Sequence, residues 1–301
     1  NIFVFNPDNG WIQNCNSTPF TAAGKNSPKK EDYPYYMSSY PENYRGIHAI
    51  LLLKKSNDLT LDKLIKLAYD PYLPGADQLI SGLLEAYDKS NITNQEIKEA
   101  FSLLKNWNFT ATKTSIEMTL AQFYLRAYYR SGNIPKGLNS LNRMKYMSSE
   151  SDYKERLDMF NKGLEQLKQD FGSWKTEWGE FNRYQRNDGR IRQQFNDDLP
   201  SIPVGMASGS WGALASFGAR KGKNTKRQYG TSGNSFVAVV EFGDKVTAKT
   251  MLAGGQSGDP SSPHFDDQSQ RYADCEFKTV AYYREDVEKR AKRTYHPGEE
   301  N

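Results

Sequence analysis

Gly254-Gly255-Gln256-Ser257-Gly258-Asp259-Pro260-Ser261-Ser262-Pro263-His264-Phe265-Asp266-Asp267-Gln268 is the stretch of this 301-residue chain that leaves least room for a generic reading. Its glycines, prolines and small hydroxyl residues encode a succession of turns. Ser257 sits among glycines, but the spacing is not that of a nucleophile elbow, so on its own the motif reads as a tight turn. The same holds for Gly230-Thr231-Ser232-Gly233. His264 lies close to Asp266 and Asp267, which admits a triad, although a loop histidine bonded to local carboxylates is the commoner case.

Working outward, Ser235-Phe236-Val237-Ala238-Val239-Val240-Glu241-Phe242 is a β-rich run ending at Gly243-Asp244, and residues 245–252 follow at hairpin distance. A last strand is expected over 276–282 and a helix over 284–293. Upstream, Pro200, Pro203 and the glycines of 205–222 break the chain into loops and short strands. Before them the period is helical. Leu61, Leu64, Ile65 and Ala68 share one face until Asp70-Pro71 stops the run; Thr93-Asn94-Gln95-Glu96 fits a capping box ahead of Ile97, Ala100, Phe101 and Leu104; residues 115–130 and the stripe Leu157, Phe160, Leu164, Leu167 give two more helices. Such stripes are core, not cofactor contacts. Residues 1–48 read mostly as loop, with strands expected at 1–5 and 11–15, and strands toward both ends predict terminal regions that share one sheet system.

Composition narrows the function classes. With 40 basic against 36 acidic residues the net charge is only +4, without the field of a nucleic-acid binder. The basic run over 220–227 has no aromatic residue for base stacking and reads as a solvated loop. The two cysteines, Cys15 and Cys275, form no framework, and the scattered His48, His264 and His296 lack ligand spacing, so no metal or other cofactor is expected. No apolar run is long enough for a membrane span. The tyrosines and phenylalanines supply enough burial for a folded core.

A second distinctive segment is Asn6-Pro7-Asp8-Asn9-Gly10-Trp11-Ile12-Gln13-Asn14-Cys15-Asn16-Ser17-Thr18-Pro19. It resembles the Asn-Pro-x-x-Gly-(aromatic)-(apolar)-x-Asn-x-Asn-x-x-Pro segment of the penicillin acylase family, and the 254–268 stretch is similar to the family's Gly-Gln-Ser-Gly-Asn/Asp-Pro-x-Ser-Pro-His segment. Between them Leu104-Lys105-Asn106-Trp107-Asn108, Ser115, Trp178-Gly179-Glu180 and Tyr229-Gly230-Thr231-Ser232-Gly233-Asn234-Ser235 match in order. The resemblance spans essentially the whole chain and is nearest the branch that includes acyl-homoserine-lactone acylases.

The resemblance implies an α+β chain, part of an αββα N-terminal-nucleophile hydrolase sandwich with a large helical insertion, divided at 1–58 (active-site loop and early strands), 59–195 (helical insertion) and 196–301 (late strands, Gly-Gln-Ser-Gly loop and C-terminal helix). It implies an acyl-enzyme mechanism, in which a terminal Ser attacks an amide carbonyl with its own α-amino group as base. Asn16 matches the oxyanion-hole asparagine, Arg45 the arginine that orients active-site groups, and Asn14 a residue holding local backbone. Gln256, Ser257 and His264 match loop-shaping positions. No Ser, Thr or Cys stands at position 1, so the expectation is a C-terminal fragment, inactive alone, whose partners are an upstream nucleophile-bearing segment and the α subunit of the same precursor, with an acyl amide as substrate and a periplasmic or secreted location. A degenerate non-catalytic relative and a carbohydrate- or peptide-binding module using the tyrosines of 33–44 are the rival readings.

Overall fold

The computed structural model describes residues 1–296, 298 and 299. Residues 1–43 form an irregular arm punctuated by short 3-10 turns. Ten α-helices follow among the described residues: α1 (Tyr44–Leu53), α2 (Leu61–Ala68), α3 (Pro74–Asp88), α4 (Gln95–Lys105), α5 (Ile116–Ser131), α6 (Ser140–Lys145), α7 (Tyr153–Phe171), α8 (Trp178–Phe181), α9 (Ser269–Ala273) and α10 (Arg284–Arg290). The strands are β1 (Asn182–Tyr184), β2 (Ile202–Pro203), β3 (Phe217–Lys221), β4 (Gln228–Gly233), β5 (Phe236–Glu241), β6 (Thr247–Leu252) and β7 (Lys278–Thr279). They form two sheets, ordered β2-β1-β4-β3 and β5-β6-β7.

The helical block is built by the stripes visible in the sequence. Side chains such as Leu79, Leu83, Phe101, Leu104, Phe123, Tyr124, Phe160 and Leu167 interdigitate in one core, and α5 packs along α7. At the α3 crossing Gly82 is required by close approach, because a β-carbon there would lie 1.9 Å from the Ser148 carbonyl oxygen. Buried Arg156 donates to the Gly82 and Ser148 carbonyls, at 2.7 and 2.6 Å, and so closes the same junction. A second, smaller core gathers Val204, Phe217, Met251, Tyr272 and Ala273 under the sheets.

Several expectations are corrected. Residues 1–5 and 11–15 are not strands. A strand needs a partner ladder, and the arm has a single cross-link of this kind, Gln13 N–H to the Ala22 carbonyl at 2.8 Å. Both sheets therefore come from residues 182–279, and the described N-terminal region shares neither. The loop expected up to residue 48 ends earlier, because Asn43 caps α1 by accepting from Gly46 N–H at 3.0 Å. The cap of α4 is Asn94, which accepts from Ile97 N–H at 3.2 Å, one residue after the predicted Thr93; asparagine is at least as good an N-cap as threonine. The basic run, expected to be loop throughout, takes in the last two residues of β3 and the β3–β4 turn, with Lys221 paired to Asp170 at 2.5 Å and Arg227 bonded to the Asp197 carbonyl.

Candidate active site

The site forms where the arm crosses the N-terminus of α1. Asn16 has a left-handed backbone, φ +54°, a conformation that asparagine tolerates better than most residues. It is held there by Asn14, whose Oδ1 accepts from Asn16 N–H at 2.8 Å. Asn43, besides capping α1, donates through Nδ2 to the Cys15 and Asn16 carbonyls at 3.0 and 3.3 Å. One side chain thus fastens the arm to the helix.

Arg45 lies in the first turn of α1 and completes the arrangement. Its Nη2 donates to the Cys15 carbonyl and to Asn16 Oδ1, both at 2.8 Å. A guanidinium has no acceptor, so the atom facing it must be the amide oxygen, and Nδ2 points away. Nδ2 makes no hydrogen bond among the described residues. The Arg45 guanidinium charge held against Oδ1 and the nearby α1 N-terminus both polarise the amide toward stronger N–H donation. The arrangement suits an anion or a carbonyl oxygen acquiring negative charge.

Behind Arg45 stands the turn of residues 208–212. Gly209 is needed for close approach, since a β-carbon there would lie 2.8 Å from Arg45 Cδ and 3.1 Å from Nε. The turn is pinned by Ser216 Oγ, which accepts from Gly209 N–H at 2.8 Å, and by buried His48, whose Nδ1 lies 2.8 Å from the Gly212 carbonyl while Nε2 lies 3.2 Å from Asp70.

The flanking Cys15 and Ser17 are not activated nucleophiles. Burial pushes the Cys15 thiol up, Arg45 pulls it down less, and Glu42 raises it further, leaving a neutral thiol. No base is hydrogen-bonded to Ser17 Oγ among the described residues.

The 254–268 loop is clamped from β1's end of the chain. Arg186 stacks on Phe265, 4.2 Å from its ring centre, and donates to the carbonyls of Phe265, Gly255 and Ser257. Ser257 N–H reaches the His264 carbonyl at 3.1 Å, and exposed His264 pairs with Asp267 at 2.9 Å, not with a nucleophile. Gln256 is exposed. None of Gln256, Ser257 and His264 bonds to Asn16 or Arg45 among the described residues, so the structure brings together Asn14, Asn16 and Arg45 and leaves the other three apart. Sequence reasoning missed Asn43 and Gly209. Asn43 carries a readable signal, an N-cap residue before an apolar run; Gly209 carries none, because its neighbour Arg45 is far away in sequence.

A family model described as penicillin amidase matches residues 1–289. The chain belongs to the penicillin amidase family. Among solved structures it is similar to a thermostable penicillin G acylase from Alcaligenes faecalis, with a TM-score of 0.50 and 16% identity over 97% of this chain and 57% of that one. At that identity the likeness speaks for the fold, which is the mixed α and β architecture of an N-terminal-nucleophile hydrolase. This penicillin amidase relative spans little more than half the length of the acylase chain it matches. Family and fold are those of amide hydrolases processed from a precursor into subunits. No helix among the described residues is long and apolar enough to cross a membrane.

Proposed function

We propose that this chain supplies the oxyanion-binding part of an acylase that hydrolyses linear amides, with Asn16 Nδ2 as the donor and Arg45 as the residue that orients it. The observation that carries the reading is the 2.8 Å bond from Arg45 to Asn16 Oδ1, which leaves Nδ2 unpartnered and polarised. An amide in that state stabilises charge on a tetrahedral intermediate without reorganising during reaction. By family precedent the nucleophile comes from an upstream segment of the same precursor, a reading supported by the absence of activation at Cys15 and Ser17, the nucleophilic residues flanking Asn16, and this chain alone is inactive. Substrates of the β-lactam side-chain or N-acyl homoserine lactone type, and a periplasmic or secreted location, fit this reading. Asn14 holds the Asn16 backbone, and Gln256, Ser257 and His264 shape a loop without taking part in chemistry.

The test is the complete acylase assayed with a chromogenic acyl amide. Asn16→Ala is expected to lower kcat by roughly 10²- to 10³-fold with the fold retained. A variant as fast as the parent would sink the assignment.

A further inference from the structure

Gly233 and Asn234, at the end of β4, wrap around Ser216. Asn234 Oδ1 accepts from Ser216 N–H at 2.9 Å, while the backbone N–H of Asn234 donates to the Ser216 carbonyl at 2.9 Å. The approach is too close for any residue but glycine at 233, where φ is +124° and a β-carbon would lie 2.0 Å from the Ser216 carbonyl oxygen. A tight-turn bond to the Leu214 carbonyl, at 2.9 Å, already satisfies Ser216 N–H. The bond to the Asn234 side chain is therefore surplus to the needs of the backbone. What it adds is direction: it fixes how the Ser216 peptide, and with it the Ser216 hydroxyl, is aimed.

That hydroxyl stands one link from the candidate site. Ser216 Oγ accepts from Gly209 N–H at 2.8 Å. Gly209 is squeezed between this oxygen and Arg45, since a β-carbon there would lie 2.8 Å from Arg45 Cδ and 3.1 Å from Ser216 Oγ. Arg45 forms no ion pair among the described residues, so no carboxylate holds its guanidinium. Its stem is set by packing against Gly209, and its far end by the bonds to the Cys15 carbonyl and Asn16 Oδ1. A run of short contacts, of the kind through which packed interiors transmit displacement, thus leads from Asn234 through Ser216, Gly209 and Arg45 to the amide of Asn16. Asn234 itself bonds to neither Arg45 nor Asn16 among the described residues.

We propose that Asn234 is a positioning residue for the oxyanion donor: its amide oxygen aims Ser216, Ser216 holds the 208–212 turn through Gly209, and the turn keeps the Arg45 stem where Nη2 meets Asn16 Oδ1. The proposal rests on the reading that Asn16 Nδ2 stabilises the oxyanion. A catalytic donor must sit within about 0.5 Å of its productive place, and a guanidinium without an ion-pair partner has to be steadied through its aliphatic stem. Without Asn234 the turn shifts, the stem follows, and Nδ2 loses its fixed aim. The defect falls on the transition state, where the charge develops, and little on substrate binding.

The test measures kcat and KM of the complete acylase on a chromogenic acyl amide, in a double-mutant cycle with Asn16→Ala. Asn234→Ala is expected to lower kcat by roughly 10- to 100-fold, the scale of a misplaced group, with KM changed by less than about two-fold. Asn234→Asp restores an oxygen facing Ser216 N–H and should return kcat to within about three-fold of the parent's. In the Asn16→Ala background, Asn234→Ala should slow the enzyme by less than about two-fold more, because the group it positions is already gone. A loss of the same size in both backgrounds would show that Asn234 acts only through the fold, and the proposal fails. A parent-like kcat for Asn234→Ala beside a slow Asn16→Ala refutes the positioning while the proposed function stands. An Asn16→Ala enzyme as fast as the parent removes the proposed function, and this inference with it. Should Asn234→Ala fail to fold, Ser216→Ala deletes only the hydroxyl and carries the same expectation in the same cycle.

Discussion

Arg45 Nη2 bonds Asn16 Oδ1 and the Cys15 carbonyl at 2.8 Å each, so the two hydrogens of one nitrogen fix both the backbone before Asn16 and the face its amide presents. This makes the donor role of Asn16 separable from its placement. Asn16→Asp keeps the oxygen that Arg45 binds and converts the contact into an ion pair, but replaces the donor with a carboxylate. The expected outcome is a melting temperature at or above the parent's, together with a kcat loss at least as large as that of Asn16→Ala, roughly 10²-fold or more. Activity near the parent's would show that Nδ2 does not donate in the reaction.

Arg45→Lys retains the charge while losing the planar fork, and an ammonium on a flexible stem does not hold two acceptors in fixed geometry. In the complete acylase kcat is expected to fall between roughly 10- and 100-fold, the scale of a misplacement of about 1 Å. Gly209→Ala should act in the same direction without touching the polar groups, since the added methyl pushes on Arg45 Cδ from 2.8 Å. The readout is a drop in kcat larger than any rise in KM, and equal rates for Gly209→Ala and parent would refute the packing argument.

The α3 junction predicts a pure stability effect. Gly82→Ala would place a methyl 1.9 Å from a backbone oxygen that cannot rotate away. Overpacking of this kind costs about 3 kcal/mol or more. Arg156→Met removes the donor that bridges the buried Gly82 and Ser148 carbonyls and costs about 1–3 kcal/mol. Chemical denaturation of the purified chain measures both, and a loss under about 1 kcal/mol for Gly82→Ala would contradict the geometry.

Alkaline pH should unfold the protein. Burial is the leading cause that raises Tyr72, Tyr128 and Tyr229 from 10.0 to about 12, and Cys275 from 9.0 to about 11. A raised acid is neutral in the folded state and ionises more readily when unfolded, so its contribution is full below the unfolded value and lost as pH rises through the folded one. Arg126, lowered by burial to about 10, works in the opposite direction above that pH, one group against several. The melting temperature is therefore expected to decline from near pH 9 and steeply between pH 10 and 12, with the Cys275 thiol unreactive toward a disulfide reagent at pH 8 until unfolding. A melting temperature constant to pH 12 would contradict the burial of these groups.

Much of the fold was legible because its signals are local. The stripes of α2, α4, α5 and α7 and the β5–β6 hairpin follow from period and turn chemistry within a few residues. Strands at 1–5 and 11–15 were not legible, since a short apolar run becomes a strand only if a partner edge lies beside it. α1 was hidden for a related reason: apolar on nearly every side, it offers no amphipathic period, and only Asn43 marks its start. At the site, the Asn14 and Asn16 pair was visible as a motif, whereas the bond from Arg45 to Asn16 and the bond from His48 to the Gly212 carbonyl join residues 29 and 164 positions apart.

By itself the sequence determined the family, through two turn-rich segments whose residue types at fixed spacing leave few alternatives, and it determined the helical core, because amphipathic period is a property of adjacent residues. Tertiary structure alone decided which atom of Asn16 is free. That depends on where an arginine from a helix 29 residues later meets a left-handed turn, a three-dimensional coincidence of donor and acceptor that no local pattern encodes.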